Sequence, residues 1–547
     1  MRSKRHGSRA AVVVLCLTAI GCGSASGGPK PTKNERPGRG GTLTVVAPAS
    51  PPGLDPHRVP DVATAMAHGV LFRQLYVHVP EQAVAVPDLA AGPPELSDDR
   101  LTMTIPLKRT ARFGPRDGRP IVAADIARGM ERALADPVAG PRARRMLGAI
   151  DEIDPVREDR LVLRLSRPAP EEVAEGLATP ASTPIPAELT EVAGPIPDDV
   201  PIFSGPYAPA PPADTEASAA PGTLILQRNP EWRRESDPRP AYADQIVFER
   251  APRGPAAWGV LAGTGLVLAP SAPPEVARIA AKRHTGQVSV TPLPVTRYVG
   301  LNPRAAALRD VRVRQALVAG LDREAVLKAA GGGGTIASHY IPPGVPGHDE
   351  SGGADGTGAP ELREPSGDPQ LAGTELRLAG SRDGRLDGTV LHAVRGDSGA
   401  DAEVANAVRA SWRHLGVRLR VKVVSQAEAR SSCGERSGAV AVCLSAALGS
   451  SQGDPAALVS PVFGSHASRT LHDTIIAGAE LPAGERRAQA WAQVNREAVR
   501  LAVGAPWRWD ERALLVSRDV IGAVDDRAGA WDLAFTSLDA RARARKK

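Results

Sequence analysis

Asp310-Val311-Arg312-Val313-Arg314-Gln315-Ala316-Leu317, followed by Leu321-Asp322-Arg323, is the stretch on which the fold of this chain turns. Asp310 stands where a helix N-cap is wanted, with Pro303 upstream. Its short carboxylate can accept from the unpaired N–H groups of a first helical turn. Val313, Ala316, Leu317 and Gly320 recur at helical spacing and form one apolar face. Arg312 and Arg314 are expected to point away from that face. Asp322 can start a second helix, whose apolar face is Ala325, Val326 and Ala329.

Working outward, strands and helices alternate on both sides. Towards the N-terminus, Gly41-Thr42-Leu43-Thr44-Val45-Val46 reads as a strand, broken by Pro51-Pro52-Gly53. Leu54-Asp55-Pro56 then leads into a helix over Val62 to Leu75, with Met66, Val70, Phe72 and Leu75 on its apolar side. Leu101 to Leu107 alternates like a strand. A turn at Arg116 to Pro120 precedes a helix carrying Ile126, Met130 and Ala133 on one face. Towards the C-terminus, Gly331 to Asp368 is rich in Gly, Pro, Asp and Glu and reads as a long loop. Val404 to Leu415 is a helix with Trp412 in the core. Arg418 to Val424 is a strand with Leu419, Val421 and Val423 alternating. A helix over Glu485 to Ala502 is striped by Ala488, Trp491, Ala492, Val494, Ala498 and Leu501. Ala513 to Ser517 is a late strand, and Trp531 to Leu538 closes the fold.

The 547 residues allow about three domains at roughly 100–200 residues each. Apolar residues make up 42% and charged residues 23%, the balance of a globular chain. The 55 Gly and 52 Pro call for many turns. The formal net charge of +6 is concentrated at the start: Arg2, Lys4, Arg5 and Arg9 precede Gly21 with no acid among them, and without them the balance falls to +2. Basic residues elsewhere alternate with acids. Only the tail Arg541, Arg543, Arg545, Lys546, Lys547 is a run, read as a solvated terminus. No clustered basic face or motif supports nucleic-acid binding.

Arg2 to Arg9 form a basic segment, and Ala10 to Ile20 an apolar run too short for a membrane span of about 20 residues. The pair reads as a signal peptide over residues 1–21. It ends in Ala19-Ile20-Gly21-Cys22, which resembles a bacterial lipobox, with Ala19 where Leu is usual. Acylation of Cys22 would anchor the chain, since two acyl chains suffice for stable membrane attachment. Residues 22–40 are the tether. Cys433 and Cys443, ten positions apart in an exported chain, are expected to form a disulfide.

Gly40-Gly41-Thr42-Leu43, Leu54-Asp55-Pro56, Asp117-Gly118-Arg119-Pro120 with Ala123, Asp125-Ile126 and Arg132, Gly205-Pro206-Tyr207, Leu226-Gln227-Arg228-Asn229-Pro230-Glu231-Trp232, Ile246-Val247-Phe248, Asn302, the opening run, and Pro342-Pro343-Gly344-Val345-Pro346-Gly347 occur in one colinear order. In that order they resemble the oligopeptide-, dipeptide- and nickel-binding family of solute receptors of ABC importers. The resemblance covers residues 40 to 540. It implies an α/β, two-lobed periplasmic-binding-protein-like fold (type II, cluster C) with an extra small domain. Lobe I would comprise residues 41–75, 186–290 and 512–547, the extra domain 76–185, and lobe II 291–511. It also implies a binding module, with no catalytic residues and no cofactor. Such a receptor, a monomer on the outer face of the cytoplasmic membrane, would deliver its solute to a permease and ATPase complex. Arg312 or Arg314 would then lie in a surface or inter-lobe salt bridge.

By the same resemblance the ligand would lie between the loop before Leu54, with Ser50 and Pro51, and a strand and turn over Gly449, Ser450, Ser451, Gln452 and Asp454. Asp454-Pro455 keeps the end of that turn. The family's opening aromatic is Leu448 here, and the Asp that pairs with a peptide's α-amino group falls on Ser451. A buried ammonium without a charge partner costs several kcal/mol, so Ser451 argues for a neutral or differently charged ligand. Tyr207, Trp258 and Tyr298 are the aromatics to consider for stacking, each expected in the core.

Rival readings rest on less. There is no GxSxG or HExxH motif for a hydrolase, and Ser204 belongs to the Gly205-Pro206-Tyr207 turn. Gly331 to Gly334 lacks the Lys-Ser or Lys-Thr of a phosphate loop. A nickel or other metal-chelate receptor has only His466 and His472 in its favour, and no metal ligand is assigned. A sensor or scaffold lipoprotein of the same fold is the alternative that the altered cleft motif leaves open.

Overall fold

The computed structural model describes residues 37–539 apart from 60, 81, 83–84, 116–117, 138, 187–195, 197–201, 212–221, 270, 349–358, 434–437, 450–454, 457, 460–468, 482–483 and 523–530. Its strands in chain order are β1 (Thr42–Ala47), β2 (Tyr76–Val77), β3 (Val86–Pro87), β4 (Glu95–Leu96), β5 (Thr102–Pro106), β6 (Ile150–Arg157), β7 (Arg160–Leu165), β8 (Tyr207–Pro209), β9 (Leu224–Arg228), β10 (Gln245–Arg250), β11 (Leu266–Leu268), β12 (Val288–Leu301), β13 (Val390–Arg395), β14 (Arg418–Val423), β15 (Val442–Gly449), β16 (Gly504–Val516), β17 (Val520–Ile521) and β18 (Ser537–Leu538).

Ten of these strands form one sheet in the order β14-β13-β15-β12-β16-β11-β1-β10-β9-β8. The long antiparallel pair β12 and β16 carries it from one half to the other. Along β12, Pro292 lies opposite Glu511 and Thr296 opposite Trp509, so residues 293–295 face the single residue 510. The sequence explains the break. Pro292 and Pro294 have no N–H to give the ladder, and proline is tolerated in a strand only where pairing fails.

Each half buries its own core. In the β15 half, Trp412 and Trp491 are fully buried with Tyr298, Leu317, Val326, Tyr340 and Leu391. In the β1 half, Leu43, Val45, Phe72, Tyr207, Phe248 and Trp531 do the same. A four-stranded sheet, β4-β5-β7-β6, stands apart. Its core of Met103, Ile105, Ile126, Met130, Leu161 and Leu163 is closed by the helix Ala123–Ala135. Burying each large apolar side chain contributes about 1.5–3 kcal/mol.

The helix caps are largely where the sequence puts them. Asp310 accepts from Arg312 N at the start of Val311–Ala319, and Asp322 accepts from Ala325 N at the start of Arg323–Ala329. The first helix is shorter than expected, Val62–Leu71. Phe72 turns extended, and Arg73 N donates to Ser204 Oγ at 2.9 Å. Arg314 corrects the sequence reading: it is buried rather than at the surface or in a salt bridge. Its guanidinium donates to the carbonyls of Leu308, Arg309 and Leu501 at 2.7–3.1 Å, tying its helix to the end of Glu485–Arg500. Arg312 does reach an acid, Glu375, at 2.9 Å.

Gly331 to Asp368 is irregular as expected, but its described part is packed. Tyr340 and Ile341 are buried, and His339, His348 and Trp509 form a ring cluster with centroids 4.8–5.2 Å apart. Thr335 and Trp509 exchange backbone hydrogen bonds, so this loop lies along β16 at the strand break. Among the described residues no helix is long and apolar enough to cross a membrane.

Candidate functional site

Strand directions define where a ligand can sit. β1, β10 and β11 are mutually parallel through β1, and β11 is antiparallel to β16. β12 is antiparallel to β16 and to β15, and β13 and β14 run with β15. Hence β1, β10 and β11 share the direction of β12, while β13, β14 and β15 oppose it. The carboxyl ends of both groups therefore point at the stretch where the β12–β16 ladder is interrupted. Ligands of open α/β sheets bind outside the carboxyl ends of the strands, and this sheet directs two sets of carboxyl ends at one place.

The sequence-designated residues fall at these ends. Ser50 and Pro51 follow β1 and are half-buried, and Ser50 Oγ donates to the carbonyl of Gly222. Gly449 ends β15, exposed, opposite Val295 of β12. Leu448 turns to the opposite face and is buried. Ser450, Ser451, Gln452 and Asp454 lie outside the described residues, as do Cys22 and His466. Cys433 and Cys443 are joined, with Cα atoms 5.5 Å apart, at the end of β15 away from Gly449. Tyr207 and Tyr298 are core residues, and burial pushes both phenols up. Trp258 corrects the expectation: it is 46% exposed on the helix Arg253–Ala262.

Sequence reasoning missed the charged rim between these ends. Arg395, the last residue of β13, donates from NH1 to Gly396 O at 2.7 Å. Its Nε and NH2 make no hydrogen bond among the described residues. Directly beyond it, Ser398 caps the helix Gly399–Trp412, whose N-terminal N–H groups and dipole favour an anion. Asp401, in the first turn, accepts from Ser398 Oγ, Gln426 Nε2 and Ser445 Oγ at 2.5–2.8 Å. Burial opposes ionisation of Asp401, but these three bonds hold its carboxyl below the usual range. Ser445 Oγ also accepts from Gly396 N at 2.9 Å, joining β13, β15 and the helix start at one point.

On the same face, Arg297 of β12 pairs with Ala447 of β15 on one side and Arg508 of β16 on the other. Asp510 lies between the guanidiniums. It accepts from Arg297 Nε at 3.0 Å and from Arg508 Nε at 2.7 Å. No local pattern distinguishes these arginines from solvated charges. Only the strand order brings them to the carboxyl ends.

Two motif residues prove structural. Arg132 grips both oxygens of Asp55 at 2.9 and 2.6 Å, and both residues are buried. The pair joins the loop after β1 to the helix of the separate small sheet. Arg73, Asp88, Asp237 and Arg239 form a second buried network. Among the described residues no group of three or more His, Cys, Asp or Glu is placed to hold a metal ion.

Residues 84–469 match the family described as bacterial extracellular solute-binding proteins, family 5 Middle. A di/tripeptide-binding protein 2 of Pseudomonas aeruginosa (strain UCBPP-PA14) is 24% identical over 426 residues, covering 70% of this chain and 71% of that one. The fold is shared with the clavulanic acid biosynthesis oligopeptide binding protein 2, at TM-score 0.73 and 22% identity over 92% of this chain and 97% of the other. It is shared too with DppA of Helicobacter pylori in complex with the peptide STSA, at TM-score 0.67 and 16% identity over 92% and 98%. The two-lobed architecture inferred from the sequence motifs is thus the observed one, and the chain belongs to the bacterial extracellular solute-binding proteins of family 5.

Proposed function

We propose that this solute-binding protein captures a peptide-like solute between the two halves of its sheet and delivers it to an ABC importer. The observation that carries the reading is the convergence of the carboxyl ends of β1 and β15 on the broken β12–β16 ladder. The solute would lie against Ser50 and Pro51 on one side and Gly449 to Asp454 on the other. Its terminal carboxylate would meet Arg395 at the start of Gly399–Trp412. With Ser451 where an amine partner would stand, a blocked or absent amino terminus suits the cleft better than a free one. Closure would bend the sheet at Pro292 and Pro294, where the ladder is weakest. Lobes I and II would divide near residues 290 and 511, with 76–185 as the extra domain.

The chain would act as a monomer, held to the outer face of the membrane by acylated Cys22. Two experiments test this. Deleting the gene should abolish uptake of the peptides that the purified protein binds, and unchanged uptake would remove the transport role. Cys22→Ser should release the protein from the membrane fraction, and retention would remove the anchor.

A further inference from the structure

Arg297 and Arg508 are directly opposite each other on neighbouring strands and point to one face. Like charges so placed are destabilising, by an amount of the order of the 0.2–1 kcal/mol that favourable cross-strand pairs contribute. A rim that only needed to be soluble would not carry two. Among the described residues one acid, Asp510, bonds to both, so this trio carries a net positive charge. Asp401 is close enough to feel Arg297, but its oxygens are already taken by Ser398, Gln426 and Ser445.

The geometry also leaves Arg297 presented rather than consumed. Asp510 is nearly buried and holds Nε and NH2 of Arg297 from behind, at 2.9–3.3 Å. NH1 makes no hydrogen bond among the described residues, and the side chain remains 41% exposed. Its neighbours across the strand on that face, Ala447 and Gly449, are small and exposed and cover nothing. A guanidinium locked by a carboxylate behind it is oriented in advance, so little side-chain entropy is lost when it receives an anion.

We propose that Arg297, oriented by Asp510 and reinforced by Arg508, is a subsite for a side-chain carboxylate of the solute, separate from the terminal carboxylate at Arg395. The receptor would therefore select acidic solutes. This rests on the peptide-like reading above, and the experiment separates the two.

The purified protein and its R297Q and R297K variants are titrated calorimetrically with N-acetyl-Ala-Glu-Ala, with N-acetyl-Ala-Gln-Ala and with glutarate alone. N-acetyl-Ala-Glu-Ala should bind about tenfold or more tighter than its amide isostere. That ratio should collapse towards one in R297Q and be partly retained in R297K. Equal affinities of the wild type for the two peptides overturn the subsite and leave the peptide reading intact, whatever the variants do. A full preference surviving in R297Q overturns it as well. If neither peptide binds, the peptide reading fails, and glutarate decides: binding that R297Q loses supports the subsite, and no binding to the wild type overturns it.

Discussion

Arg132 and Asp55 meet as a two-pronged ion pair, NH1 to Oδ1 at 2.9 Å and NH2 to Oδ2 at 2.6 Å, with Arg132 also donating to His57 Nδ1 at 2.7 Å. The partners come from the loop after β1 and from a helix 77 positions on. Two sequence motifs far apart in the chain are therefore the two halves of one buried contact. Burial opposes the Asp55 charge, but hydrogen bonds from Arg132 and the Ile196 N–H hold its carboxyl low. Arg132→Met should leave that buried carboxylate with only the distant Arg58, at 3.8 Å, as a cationic partner, lowering stability by roughly 3 kcal/mol. Urea unfolding checks this, and a loss under 1 kcal/mol would mean the pair is dispensable.

His57 adds a pH dependence. Burial and the adjacent Arg132 guanidinium push its pKa down to about 4. Below about pH 6.5 the unfolded chain takes up a proton that the folded one refuses until about pH 4. Stability from this group is thus complete above pH 6.5 and declines as pH falls through that window, by at most about 1.4 kcal/mol per pH unit. His57→Gln should flatten the stability profile between pH 6.5 and 4 relative to wild type. Parallel profiles would contradict the assignment.

Arg314 is predicted to be a structural clamp. Removing it as Arg314→Met leaves the carbonyls of Leu308, Arg309 and Leu501 without their donor. The expected loss is roughly 2–4 kcal/mol. Lys, with one ammonium for three separated acceptors, should recover less than half of it. Full recovery by Lys in thermal unfolding would show that charge alone matters.

The Cys433–Cys443 bond closes a loop of ten positions. On loop-closure entropy it is worth roughly 2–3 kcal/mol. Dithiothreitol should lower the melting temperature of the wild type and leave a Cys433→Ser/Cys443→Ser variant unchanged. Identical melting of the wild type with and without reductant would contradict the contribution.

Much of the fold was legible because its signals are local. Asp310 and Asp322 cap the helices they precede, and Trp412 and Trp491 fill the core as their spacing requires. The errors share one cause. An arginine reads as a surface residue from its own composition, yet Arg314 is buried because three carbonyls happen to converge on it. Trp258 reads as core but lies on an exposed helix face. The candidate site was legible only through family motifs. Arg297, Arg395 and Asp510 carry no pattern of their own, and become neighbours through a ten-strand order that no local spacing encodes. The strand break at Pro292 and Pro294 was not read from the sequence, because two prolines mark a break only once β16 is known to run beside them.

The most direct test of the central claim is a thermal-shift measurement of the purified protein against N-acetylated and free di- to pentapeptides, with amino acids, sugars and nickel as the comparison set. A ligand at 100 times its dissociation constant stabilises the folded state by about 2.7 kcal/mol. The account predicts clear upward shifts with peptides, largest for acidic ones, and none with sugars or nickel. Shifts only with the comparison set, or none across the panel, would contradict a peptide receptor.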